Sequence, residues 1–165
     1  HGLGDRERLL LQIAVTLHAC GKFISMKNSN ECGYALIMST EIIGLSHLER
    51  EIIANVVRYN IRDFDYDMMQ LETEAGQDLA GVSDRTAITI LIAKLTAILR
   101  LANSMDKTHK AKLIDSRMAV RDGRLVITTG YQGDLALESA SFEQKAAFFE
   151  EIFGIRPVLK QKRRV

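Results

Sequence analysis

The sequence predicts a mainly α chain, with about 110 residues of helix followed by a small α+β subdomain of order β-β-β-α-β. Three observations lead there. Apolar residues recur at helical spacing from Leu9 to Ala102. In the longest such stretch, 84–106, Ala87, Ile88, Leu91, Leu95, Ile98, Leu99 and Ala102 cover a wide face, which places this helix at the centre of a bundle. After His109 the period shortens to two, and Arg121-Asp122-Gly123-Arg124 reads as a tight hairpin, because Asp-Gly tolerates positive φ. The expected domains are 1–110, helical, and 111–165, the subdomain with a basic C-terminal tail.

The first helix is expected over 5–22, with Asp5 as N-cap and Gly21 at its C-terminus beside Lys22. Residues 25–33 are polar and turn-rich and read as a loop. The second helix carries Tyr34, Leu36, Ile37 and Met38 and should end near Gly44. Ser46 and Glu49 form a capping box for a third, through Ile52, Ile53, Val56 and Val57 to Tyr59. The acidic stretch 61–82 reads as loop with one short helix. The long helix follows, with Ser83 as its N-cap. Ile114, Ser116, Met118 and Val120 alternate on a first strand, and Leu125, Ile127 and Thr129 continue on the return. A turn at 130–134 leads to a short strand at Leu135-Ala136-Leu137. Ser141 and Gln144 form a second capping box, for a helix with Phe142, Ala146, Phe149 and Phe153 on one face. Gly154 ends it. Ile155–Leu159 reads as a last strand, at an edge because it contains Pro157. Lys160, Lys162, Arg163 and Arg164 make the basic tail.

A chain of 165 residues with 47% hydrophobic composition can bury a sizeable core. Lys94 interrupts the longest apolar run, so no membrane span is expected. His1-Gly2-Leu3-Gly4-Asp5 lacks both Met and the pattern of a signal peptide, so the chain reads as cut from something longer. Cys20 and Cys32 read as reduced thiols of a cytoplasmic protein. The net charge of +1 hides an asymmetry: residues 1–83 hold 7 Lys+Arg against 12 Asp+Glu, and residues 84–165 hold 15 against 9. A basic half favours polyanions, although a solvated surface or an acidic partner explains it as well.

His18, at the end of an apolar helix, is open to three readings: metal ligand, phosphate contact, or core imidazole bonded to a backbone carbonyl or to Asn103. Arg58 and Arg100 suit phosphate oxygens by their guanidinium forks, or equally brace the bundle as ion pairs. Lys22 and Lys27 flank the same pocket, and their plainer role is to complement the helix dipole or be solvated. Lys107, His109, Lys110 and Lys112 cluster at the junction of the two parts and, with the tail, are the best candidates for polyanion contact. Asp63, Asp65, Asp67 and Glu74 have calcium-loop offsets, but Met68 replaces the required glycine and Gln70 the usual aliphatic residue, so they read as an acidic loop. Phe142, Phe149 and Phe153 read as core, not as a base-stacking platform.

Taken in order, Arg8-Leu9-Leu10-Leu11-Gln12, Leu17 to Ile24, Val57-Arg58-Tyr59, Leu99 to Asp106, Leu125-Val126-Ile127 and Phe148 to Gly154 resemble the C-terminal region of the exopolyphosphatase / guanosine pentaphosphate phosphohydrolase (Ppx/GppA) family. The resemblance implies an HD-like helical bundle that accompanies an actin-like catalytic region. That region would bind Mg2+, and it has no counterpart here. HD phosphohydrolases hold divalent metal with histidines and aspartates. Where the resemblance expects such ligands, this chain has Ala19 after His18, then Cys32, Asn60 and Asn103. Hard divalent cations prefer carboxylates and imidazoles, so no catalytic metal and no catalytic residue is expected in this chain. A zinc site on His18 and Cys32 lacks two further ligands.

The resemblance implies an accessory domain of a phosphoric-anhydride hydrolase. It would help to bind polyphosphate or guanosine pentaphosphate through His18, Lys22, Arg58, Arg100, Lys107, His109, Lys110 and Lys112, and would form a homodimer. No membrane or nucleic-acid partner is expected. The alternatives are a free-standing HD-type metal-dependent phosphohydrolase, which the missing carboxylate at Ala19 opposes, and a purely structural dimerisation module.

Overall fold

The structure, a computed structural model, describes residues 2–66, 69, 71 and 81–162, with side chains from residue 85 onward in the last stretch. Among these the elements run α1 (Asp5–Leu17), a 3-10 turn (Cys20–Phe23), α2 (Ser29–Ser39), α3 (His47–Tyr59), α4 (Gly81–Met105), β1 (Arg117–Arg121), β2 (Arg124–Thr129), α5 (Ala136–Phe153) and β3 (Arg156–Gln161). The chain is mainly α with a small α+β end. It divides into two compact units, His1–Leu99 and Arg100–Val165.

In the first unit, α1 is capped by Gly4, not Asp5. The Gly4 amide donates to Glu7 Oε2 at 2.7 Å; Glu7's own backbone N–H first, and this bond second, pull the Glu7 carboxyl below its usual range. α1 stops at Leu17, and Cys20–Phe23 is a separate 3-10 turn. Gly21 is therefore no left-handed cap. It is needed for closeness: a Cβ there would stand 1.9 Å from the Ser29 carbonyl oxygen. α2 starts inside the stretch expected as loop and ends at Ser39, five residues before Gly44. Gly44, at φ 87°, serves the following turn instead. The capping box of α3 is formed, with Glu49 N donating to Ser46 Oγ at 3.2 Å and Ser46 N to Glu49 Oε2 at 2.8 Å. Arg6 Nε adds a 2.6 Å ion pair to Glu49 Oε1 and joins the two helix starts.

α3 is the inner element of this unit, buried at Ile52, Ile53, Val56, Val57 and Tyr59. Leu10 and Ala14 of α1, Ile37 of α2 and Ile92, Leu95 and Leu99 of α4 complete the core. α4 begins at Gly81, so Ser83 is its third residue and not its cap. By length and composition Arg85–Met105 would suffice to cross a membrane despite Lys94; its Ile92, Leu95 and Leu99 are buried and its Ile90 is exposed. The short helix expected within 61–82, the acidic positions Asp67 and Glu74, and the tail residues Arg163 and Arg164 lie outside the described residues.

The second unit begins with the end of α4 at Arg100. β1 and β2 form the expected hairpin, with Asp122 at φ 50° and Gly123 at φ 70°. β3 returns through α5 to pair parallel with β2, giving the order β1-β2-β3 with β2 central. Pro157 thus sits on an edge strand, as its missing N–H requires. The strand expected at Leu135-Ala136-Leu137 is instead the start of α5. Leu and Ala are strong helix formers, so the helix starts ahead of Ser141 and Gln144, with Leu135 as its N-cap and the Ala136 amide donating to Asp134 Oδ1 at 2.8 Å. The order is therefore β-β-α-β. Gly154, at φ 68°, ends α5. Phe142, Ala146 and Phe149 are buried with Ile127, so the aromatic face is core.

Candidate functional site

In the first unit, the expected pocket at the end of α1 resolves into bonded side chains. His18 is half-buried, and its Nδ1 lies 2.6 Å from the Val15 carbonyl oxygen of its own helix. The carbonyl accepts, so Nδ1 carries the proton. Of the readings open to this imidazole, the structure shows the backbone-carbonyl bond. Lys22 and Lys27 are exposed. Gly33 lets α2 approach both neighbours: its Cβ position is 3.7 Å from Gly21 N and 3.0 Å from Val57 Cγ1. The turn after His18, α2 and the end of α3 are thus brought together.

Arg58, one residue beyond Val57, spends its fork on Glu31. Nε donates to Oε1 at 2.9 Å and Nη2 stands 2.8 Å from Oε2, while Arg62 shares Oε1 at 3.0 Å. The guanidinium also lies 4.9 Å over the Tyr34 ring. Arg58 therefore ties α3 to the first turn of α2. A phosphate could reach its fork only by displacing Glu31.

The positions at which the resemblance expects metal ligands hold, in the first unit, Ala19, the half-buried Cys32 and the buried amide of Asn60, and, in the second, the amide of Asn103. Among the described residues no three His, Cys, Asp or Glu side chains come together. Ala19 offers no donor and amides carry no charge, so this set does not fit a hard divalent cation. Cys20 and Cys32 are free thiols, and burial pushes the Cys20 thiol up. Sequence reasoning missed a groove of about 560 Å³ between α1 and α2, lined by Ile13, Leu17, Cys20, Leu36, Ile37 and Ile42 with three polar neighbours. No charged residue lines it, so it does not suit phosphate.

In the second unit the candidate cations separate into two sets. Arg100 is only 7% exposed and its guanidinium stacks 4.6 Å over Phe148, so it braces α4 against α5. Lys112 Nζ stands 3.1 Å from Glu138 Oε2 and donates to the Asp134 carbonyl oxygen at 3.0 Å. Glu138 is fully buried and also accepts from the Thr108 hydroxyl. That bond from Thr108, with the Lys112 ammonium, holds the Glu138 carboxyl below its usual range. Lys107, just before the first anchor, and His109 and Lys110, between the two, are exposed. The turn is sharp, with His109 at φ 52° and Ala111 at φ 50°, and the Ala111 amide donates to Asp106 Oδ1 at 2.9 Å.

These features define a helical domain with an α+β end that displays cations on a braced turn. The family model of Ppx/GppA phosphatase, domain III, matches residues 2–145. The chain belongs to the Ppx/GppA phosphatase family, of which this is the C-terminal domain. No curated protein matches it.

Proposed function

We propose that this chain is an accessory domain of an exopolyphosphatase or guanosine pentaphosphatase-type hydrolase, one that helps to bind polyphosphate or a related polyanion and to self-associate, with the chemistry done elsewhere. The observation that carries the reading is the turn at 106–112. It holds Lys107, His109 and Lys110 in solvent and is clamped at Thr108 and Lys112 by one buried carboxylate. Cations fixed in place lose little conformational freedom when a polyanion binds. Many weak phosphate contacts act by counterion release and need no metal. Exposed Phe23 (95%) and Ile43 (99%) support a self-associating surface on the first unit.

Phosphate release from long-chain polyphosphate, with Mg2+ or Mn2+ present, tests it beside direct binding. The expected result is salt-sensitive binding without release, weakened in the triple variant Lys107→Gln, His109→Gln, Lys110→Gln. Release that stops with a chelator would replace this reading with a free-standing phosphohydrolase. Absence of binding would leave only a structural module.

A further inference from the structure

β1 is an edge strand, paired with β2 on one side and with no strand on the other among the described residues. Ala119 is half-buried, and the rest of the strand is exposed. α5 packs against β3, on the far side of β2. Met118 and Val120 pair with Ile127 and Leu125, yet stand 62% and 64% exposed. Two large apolar side chains thus sit side by side in solvent on a strand with an open edge.

The hairpin turn fixes which backbone groups face that edge. Asp122 and Gly123 both have positive φ, the type I′ form, so Arg121 and Arg124 close the hairpin as a hydrogen-bonded pair. Antiparallel pairs alternate, so Arg117, Ala119 and Arg121 turn their N–H and C=O groups to β2, and Met118 and Val120 turn theirs to the open edge. Side chains alternate as well. Met118 and Val120 share one face, and Arg117 and Arg121 the other. Both arginines are exposed, with no hydrogen-bond or ion-pair partner among the described residues. Arg121 also stands directly opposite Arg124, a like-charge pair that an anion on its other side would offset.

We propose that the open edge of β1 docks an extended segment of a partner protein with the pattern acidic–apolar–any–apolar–acidic, which joins the sheet as a further strand. Main-chain bonds to Met118 and Val120 supply the pairing, and alternate side chains supply the choice of partner. The two acidic residues fall opposite Arg117 and Arg121, and the two apolar ones opposite Met118 and Val120. The same charges oppose a second copy of this chain. Laid antiparallel on β1 and centred on Ala119, it would set Arg117 against Arg121 at both ends, which destabilises the pairing. The arginines thus blunt the edge toward self-pairing while leaving it open to an acidic strand. This docking does not depend on the polyanion reading above and involves none of the residues of the 106–112 turn.

The test is titration of the full chain with a labelled peptide that has Glu-Val-Thr-Val-Glu at its centre, read by fluorescence and by amide hydrogen exchange. The peptide should bind, less tightly at high salt, and slow exchange at the Met118 and Val120 amides but not at Ala119, whose N–H already faces β2. The double variant Arg117→Glu, Arg121→Glu should weaken this peptide at least about tenfold and instead take one with Lys-Val-Thr-Val-Lys at its centre. If that variant fails to fold, Met118→Thr, Val120→Thr keeps two strand formers and removes the apolar face, and it should weaken binding by about fivefold. No binding by wild type, or binding that leaves the Met118 and Val120 amides unprotected, overturns the proposal. A Glu-Thr-Thr-Thr-Glu peptide that binds as tightly shows that charge alone is read, and overturns the strand pattern. Protection of the two amides that rises with protein concentration, without peptide, makes a second copy the occupant and overturns the choice of an acidic partner.

Discussion

Gly21 and Gly33 meet backbone to backbone: a Cβ on Gly21 would stand 2.5 Å from Gly33 N, as well as 1.9 Å from the Ser29 carbonyl oxygen. Neither neighbour is a side chain that can swing away. Gly21→Ala must push the 3-10 turn off α2, and a cost of about 3 kcal/mol is expected. Gly130→Ala, with open space at its Cβ, should change stability by less than about 0.5 kcal/mol. Urea unfolding of both variants checks the contrast; equal stabilities would mean that the turn yields without cost.

Acid should loosen the first unit through Glu49. Its bond with Arg6, aided by the Ser46 amide, lowers its carboxyl to about 2. The folded value lies below the unfolded one, so the stabilisation is present above about pH 4.5 and is lost as pH falls toward 2. Glu49→Gln should unfold more easily than wild type at pH 7. The gap should close as pH drops through that window, as thermal melts across pH will show.

Glu31 holds two arginines, so its loss is felt at both. Glu31→Gln keeps the shape but removes the charge facing Arg58 and Arg62. A destabilisation of about 1 kcal/mol is expected, because the Arg58 pair is two-pronged and only part-exposed. Denaturant midpoints measure it. If Glu31→Gln instead tightens phosphate binding without a stability change, Arg58 is a ligand fork and not a brace.

In the second unit, Glu138→Gln leaves Lys112, with 13% of its side chain exposed, without a countercharge. A loss of about 3 kcal/mol is expected. Hydrogen exchange at the Ala111 amide should quicken, since the turn loses one anchor. Exchange as slow as in wild type would show that Asp106 alone holds the turn.

Much of the fold was legible because it depends on local chemistry. The Ser46–Glu49 box, the Asp122-Gly123 hairpin and the Gly154 stop each need only a few neighbouring residues. The misread elements are those where a tertiary contact decides. Gly21 looks like a helix cap until α2 is seen against it. Leu135-Ala136-Leu137 reads as a short strand, yet it opens α5, with Leu135 as the N-cap. For the candidate site, the chain segments were legible but the pairings were not. Lys107, His109, Lys110 and Lys112 look alike in sequence, and only Glu138, 26 residues past Lys112, tells the anchor from the displayed cations.

The parallel pairing of β3 with β2 bears on where this protein is best cut for expression. The family match ends at residue 145, inside α5. A piece trimmed there would lose the last two turns of α5 and all of β3, and β2 would become a bare edge. Its open backbone groups, from Arg124 to Thr129, would invite pairing with a second copy. Such a fragment should aggregate, while one that retains Gln161 should not.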